Sequence, residues 1–184
     1  MKILADINDP EIVETLRDAG VVVLRTDTLY GVLAKADDEK AVERVYALKS
    51  RDVAKSPIVL IASLSQLFDV PSREELSYLN SVWPEKVSVI LPSVHAPVWL
   101  RRDNGSVAYR MPADGNLREL LMKTGPLIAP SANPEGMPPA NRVSEAEQYF
   151  GDKVDIYVDG GEVMDDTPSR LVKLHKDGKV ETLR

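Results

Sequence analysis

An α/β domain built on a twisted, mixed sheet flanked by helices is the fold class that this sequence predicts. Two observations carry it: apolar runs of strand length alternate with helically spaced apolar stripes over the first two thirds, and strand-like runs crowd the last third. A third sets the scale. The 184 residues show no linker, internal repeat or low-complexity stretch and are enough to bury one substantial core, so residues 1–184 read as a single domain.

The elements follow in order. Asp9-Pro10 supplies an N-cap with proline at the first helical position, Ile12, Leu16 and Ala19 keep helical spacing, and Gly20 is placed to end the helix. Val21 to Leu24 is a buried strand, and Thr26 to Gly31 is a loop. Behind an acidic first turn at Asp37 to Glu39, the stripe of Ala41, Val42, Val45, Tyr46 and Leu48 predicts a second helix, with Lys49 on its apolar side. Ile58 to Ile61 is a strand. Short helices are expected from Ser63 and Ser72, where Gln66 and Glu75 stand at capping-box spacing. Val87 to Leu91 and Val107 to Arg110 are strands, Leu117, Leu120 and Leu121 mark a helix closed by Gly125, and Leu127 to Ala129 is a strand. A short helix from Ser144 to Phe150, capped through Glu147, precedes strands at Val154 to Val158, Arg170 to Leu174 and Lys179 to Leu183.

Composition narrows the chemistry. The chain has no cysteine, which removes disulfides, thiol nucleophiles and thiolate metal sites. Its two histidines, His95 and His175, lie far apart in sequence, leaving little for a histidine zinc site or a serine-hydrolase triad. The net charge of −6 argues against broad binding of nucleic acid or anionic membrane. No run suits a membrane span, and the first residues lack the pattern of a secretory signal, so a cytoplasmic protein with no membrane partner is expected.

Three segments stand apart from this scaffold. Arg25-Thr26-Asp27-Thr28-Leu29-Tyr30-Gly31 leaves the first buried strand, Leu48-Lys49-Ser50-Arg51 ends the second helix, and Ala129-Pro130-Ser131-Ala132-Asn133-Pro134-Glu135-Gly136 follows a short strand. Hydroxyls, an amide and cations at three element ends suggest one concave, anion-accepting site of nucleotide size. Each segment also has an ordinary reading: Lys49 and Arg51 as a solvated helix terminus, Ser131 and Asn133 as turn builders, Thr26 and Tyr30 as a polar strand exit with a core tyrosine. Ser131 has no histidine in its motif to activate it as a nucleophile.

In this order the segments resemble the YrdC/TsaC family of L-threonylcarbamoyladenylate synthases, which combines a Thr-(Asp/Glu)-x-x-(Tyr/Phe)-Gly loop, a Lys-x-Arg motif and a Ser-x-Asn motif. The resemblance extends through Trp83-Pro84, Tyr109-Arg110-Met111-Pro112, Gly160-Gly161, Pro168-Ser169 and Leu183-Arg184, nearly the whole chain, and is to the short, single-domain form. It implies a YrdC-like fold and a catalytic set of Lys49, Arg51, Ser131 and Asn133. Lys49 and Arg51 would meet the ATP phosphates, with Asn133, Ser106, Asn141 and Arg184 also near the nucleotide. Thr26, Tyr30, Arg110, Ser131 and Ser169 would hold threonine. On that reading, loss of Lys49 or Arg51 leaves folding almost untouched.

The implied reaction joins ATP, L-threonine and bicarbonate into L-threonylcarbamoyladenylate and pyrophosphate, with Mg²⁺ accompanying ATP and no redox or covalent cofactor. The product would pass to a tRNA threonylcarbamoyl transferase complex that completes N6-threonylcarbamoyladenosine, and tight tRNA binding by this chain alone is not expected. The rival from the same fold is a double-stranded RNA or tRNA-binding module without synthase activity. Arg25, Glu85-Lys86, Ala113-Asp114 and Glu135 depart from the family pattern.

Overall fold

A computed structural model describes residues 2–52, 54–165, 167–175 and 177–184. The strands are β1 (Lys2–Leu4), β2 (Val22–Arg25), β3 (Tyr30–Lys35), β4 (Ile58–Leu60), β5 (Val87–Pro92), β6 (Ser106–Arg110), β7 (Leu127–Ile128), β8 (Ile156–Val158), β9 (Arg170–Leu174) and β10 (Val180–Thr182). The helices are α1 (Pro10–Arg17), α2 (Glu39–Lys49), α3 (Arg73–Val82), α4 (Val98–Arg101), α5 (Gly115–Thr124) and α6 (Val143–Phe150). The sheet runs β1-β8-β2-β3-β7-β4-β6-β5-β9-β10 and mixes parallel pairs, such as β4 with β6, with antiparallel ones, such as β2 with β3.

Continuous apolar runs such as Val21 to Leu24 arise because both faces of the sheet are covered. Alternate residues serve opposite cores: Val21, Val23, Val59 and Ile128 pack with side chains of α2 and α6, whereas Val22, Leu24, Leu60 and Leu127 pack with α1 and α5. One layer of helices therefore lies on each face.

The mixed α/β architecture agrees with the sequence reading, and the departures are local. Tyr30–Lys35 is a fully paired central strand where a loop was expected to run to Gly31; its four-residue hairpin turn with β2 spans only positions 26–29. Strand β1 and helix α4 give no sequence signal, being three and four residues long. At the end of α1 it is Ala19, with φ 59°, that turns left-handed. Gly20 is required for a different reason: a Cβ there would stand 2.5 Å from Thr15 Cγ2 and 2.6 Å from the Thr15 carbonyl. The capping box at Ser72 and Glu75 forms. The other two expected boxes do not. Gln66 Oε1 instead accepts from the Ala62 amide at 2.6 Å, and α6 begins at Val143, with Glu145 accepting from the Asn141 amide at 2.7 Å.

Candidate active site

The ends of these elements enclose an open cleft of ≈ 320 Å³, within the usual range of small-ligand pockets. Its wall brings together Thr26, Tyr30, Arg51, Ser106, Arg110, Ser131, Ser169 and Arg184, eight of the side chains singled out from sequence; Lys49, Asn133 and Asn141 lie outside it. Thr28, Ser56 and Asn104 line it too. Thr28 repeats the hydroxyl of a motif already noticed, but Ser56 and Asn104 are lone polar loop residues with no periodic signal. Arg51, Arg110 and Arg184 are the charged residues of the wall, and among the described residues no carboxylate joins them.

The Ser131 loop owes its shape to Lys49. The C-terminal turn of α2 carries this lysine inward, where it is 2% exposed. Its Nζ donates to the carbonyl of Ser131, to that of Asn133 at 2.5 Å, and more weakly to Asn133 Oδ1 at 3.4 Å. Burial, helped by the Arg51 charge, lowers its pKa to about 8 against a smaller opposing pull from Glu135. Asn133 is also spent inside the loop: Oδ1 accepts from Ser131 Oγ at 2.6 Å, and Nδ2 donates to the carbonyls of Pro134 and Met137 at 3.0 and 2.6 Å. Lys49 and Asn133 thus frame the loop from behind, while Ser131 faces the cleft. A bridge between Gly31 and Ser131, with Val32 N donating to Pro130 O at 2.9 Å and Ala132 N to Tyr30 O at 2.7 Å, ties that loop to β3.

Arg51 is placed for a ligand. It leaves α2 just after Ser50, whose φ of 49° turns the chain out of the helix. Its guanidinium stands 5.8 Å from the Tyr46 ring centre and has only a long contact, 3.4 Å, to the Ser56 carbonyl. Nε has no partner among the described residues.

Elsewhere on the wall, Thr26 Oγ1 donates to Leu29 O at 2.7 Å and stands 3.1 Å from Thr28 Oγ1, so it closes the hairpin turn. The Tyr30 hydroxyl donates to Gly161 O at 2.7 Å and accepts from Gly160 N at 3.0 Å. It fastens the Gly160-Gly161 turn, and burial raises its pKa. Ser169 shares a buried hydrogen bond of 2.9 Å with Ser88, and its carbonyl accepts from Arg184 Nε and Nη2 at 3.2 and 3.1 Å. Arg110 ends β6 and meets Asp27 as a buried ion pair at 3.0 Å. Asn141, outside the cleft, accepts from Val163 N at 2.8 Å through its carbonyl.

The departures from the family pattern have local partners. Arg25 Nη1 donates to Gly160 O at 3.0 Å, and Lys86 pairs with Asp165 at 3.0 Å. Asp114 caps α5, accepting from Leu117 N at 2.8 Å. Glu135 pairs with Lys55 and accepts from Asp52 N at 3.0 Å, linking the Ser131 loop to the segment after Arg51. Among the described residues no helix is long and apolar enough to cross a membrane, and no cluster of three metal-ligating side chains occurs.

Comparison with known proteins places this geometry. The threonylcarbamoyl-AMP synthase of Marinobacter nauticus is 30% identical over 184 aligned positions, covering 93% of this chain and 96% of that protein. The protein of the same name from Pseudomonas aeruginosa is 36% identical over 150 positions, covering 79% and 80%. A crystal structure of P. abyssi Sua5 complexed with L-threonine superposes with a TM-score of 0.87 at 28% identity; all of this chain is matched, and it spans 56% of that one. The Sua5/YciO/YrdC family, described as telomere recombination, matches residues 14–184, and the chain belongs to that family.

Proposed function

We propose that this protein is a threonylcarbamoyl-AMP synthase, forming L-threonylcarbamoyladenylate and pyrophosphate from L-threonine, bicarbonate and ATP. The observation that carries it is a cleft whose charged wall is cationic and whose remaining polar wall is largely hydroxyl. The names of the relatives and the threonine bound to the archaeal Sua5 support the same reading.

In this reaction the threonine amine attacks bicarbonate, expelling water, or attacks its CO₂ equivalent and gives up a proton; the resulting carbamate oxygen then attacks the α-phosphorus. The bond to the bridging oxygen breaks and pyrophosphate leaves with the electron pair. No protein nucleophile is needed, which suits a Ser131 hydroxyl already committed to Asn133. Arg51 and Arg184 serve the phosphates, and Arg110 the threonine carboxylate, as preorganised positive charge. Ser106 lies on the nucleotide side, Thr28 and Ser169 on the threonine side. Lys49, Asn133, Thr26 and Tyr30 act by holding the loops that carry these groups. Magnesium enters as part of the MgATP substrate.

Pyrophosphate release is therefore expected only when L-threonine and bicarbonate are both present. Equal release with either omitted would remove the assignment. The product is consumed by a tRNA threonylcarbamoyl transferase system, and this chain, with its net charge of −6, has few cations to spare for a polyanion. Titration of labelled tRNA at near-physiological salt should show no submicromolar binding. Tight binding that survives saturation with ATP and threonine would favour the RNA-binding module instead.

A further inference from the structure

Asp27 is a buried charge that the proposed chemistry leaves unused. It follows Thr26 in the hairpin turn and stands 3.0 Å from Arg110 Nη2, with both side chains 5% exposed. Burying two charges costs roughly several kcal/mol per ion, a loss usually recovered through well-aligned hydrogen bonds. Arginine and carboxylate commonly form two parallel ones. This pair has no such alignment: at 3.0 Å the contact satisfies the distance of an ion pair but not the angle of a well-formed hydrogen bond. Among the described residues, neither Asp27 oxygen nor Arg110 Nε has a hydrogen-bond partner.

The oblique approach has a chemical use. Asp27 neutralises Arg110 without holding its N–H donors in well-aligned hydrogen bonds, and Arg110 forms part of the cleft wall. Burial lowers the Arg110 pKa, Arg184 adds to that effect, and Asp27 opposes both. We propose that Asp27 is a counter-ion that keeps a charged Arg110 within the wall while leaving its donors free for the carboxylate of an amino-acid substrate. Asp27 is then a positioning residue of the threonine site, an inference that rests on the synthase reading and deepens it.

Asp27→Ala removes the counter-ion and leaves a carboxylate-sized gap. In steady-state pyrophosphate release, its KM for L-threonine is expected to rise about tenfold, the equivalent of one lost charge-assisted contact, while its KM for ATP stays within about twofold. Formate, small enough to refill the gap, should recover the threonine KM in Asp27→Ala but have no such effect on the wild type or on Asp27→Ala/Arg110→Gln. An unchanged threonine KM, an ATP KM that moves as far, a rise that formate does not reverse, or rescue that persists without Arg110 would each overturn the proposal. Should Asp27→Ala fail to fold, thermal denaturation of the double variant decides. Recovered folding supports a role through Arg110, and a double variant equally unfolded refutes it. The wild-type assay keeps the two readings apart: absence of threonine-dependent release there defeats the synthase assignment, whereas a normal wild type beside an unaffected Asp27→Ala defeats only the counter-ion.

Discussion

Lys49→Met is expected to reduce pyrophosphate release by about a hundredfold or more and to lower stability as well, because the lost ammonium leaves the Asn133 carbonyl without its donor and the Ser131 carbonyl with the Asn133 amide alone, at 3.0 Å. One carbonyl left unpaired costs about 1–3 kcal/mol, partly offset by no longer burying a charge. A net loss of about 2 kcal/mol corresponds to a fall of roughly 4–8 °C in Tm for a chain of this size. The sequence reading, in which removal of Lys49 spares folding, is revised here, since a side chain 2% exposed with three oxygen contacts is part of the framework. Circular-dichroism melts beside the activity assay check both effects; a fully active, fully stable Lys49→Met would refute the framing role.

The same lysine gives a pH dependence whose two halves have opposite signs. With a folded pKa of about 8, below the ordinary 10.5, Lys49 loses its proton in the folded protein first. Between those values the unfolded chain binds more protons, so this group alone makes stability rise with pH. Its grip on the loop weakens over the same interval, because the neutral amine has fewer N–H donors and no charge. Activity should decline as pH rises through about 8 while the Tm does not fall with it on this account.

Arg51→Ala is expected to lower kcat/KM for ATP by roughly ten- to a hundredfold, the value of one charge-assisted contact to phosphate. It should leave the Tm within about 2 °C, since its protein contacts are a 3.4 Å approach to Ser56 O and a distant stack on Tyr46, and partly exposed substitutions of this kind change stability little. Arg51→Lys should recover part of the loss, because a point charge replaces the charge but not the planar fork. A variant that binds MgATP normally by calorimetry would return Arg51 to the role of a solvated helix end.

Much of the fold was legible because period and punctuation agreed. Asp9-Pro10, Ser72 with Glu75, and the stripe ending at Lys49 each state an element and its boundary in local chemistry. Strand β3 was missed because polar residues and a glycine introduce it, and its buried side chains alternate between two cores that no local window reveals. At the site, the positions of the three motifs were readable, but the direction of each side chain was not. Lys-x-Arg places two cations two residues apart; only the left-handed Ser50 sends one inward to backbone oxygens and the other to the cleft. Asn133 reads equally as ligand contact or turn builder until the carbonyls of Pro134 and Met137 claim its amide.

The bridge between Gly31 and Ser131 spans about a hundred positions of sequence, and β8, paired with both β1 and β2, arrives later still. During synthesis the β2–β3 hairpin must therefore leave the ribosome long before the segments that flank it in the sheet, with backbone donors and acceptors open along both sides. A chain interrupted before Leu127 would carry the Thr26 turn and Arg51 yet lack the Ser131 loop, Ser169 and Arg184. The complete cleft wall exists only once the segments after Leu127 have joined the sheet, and until then the open hairpin edges are a template for pairing with other chains.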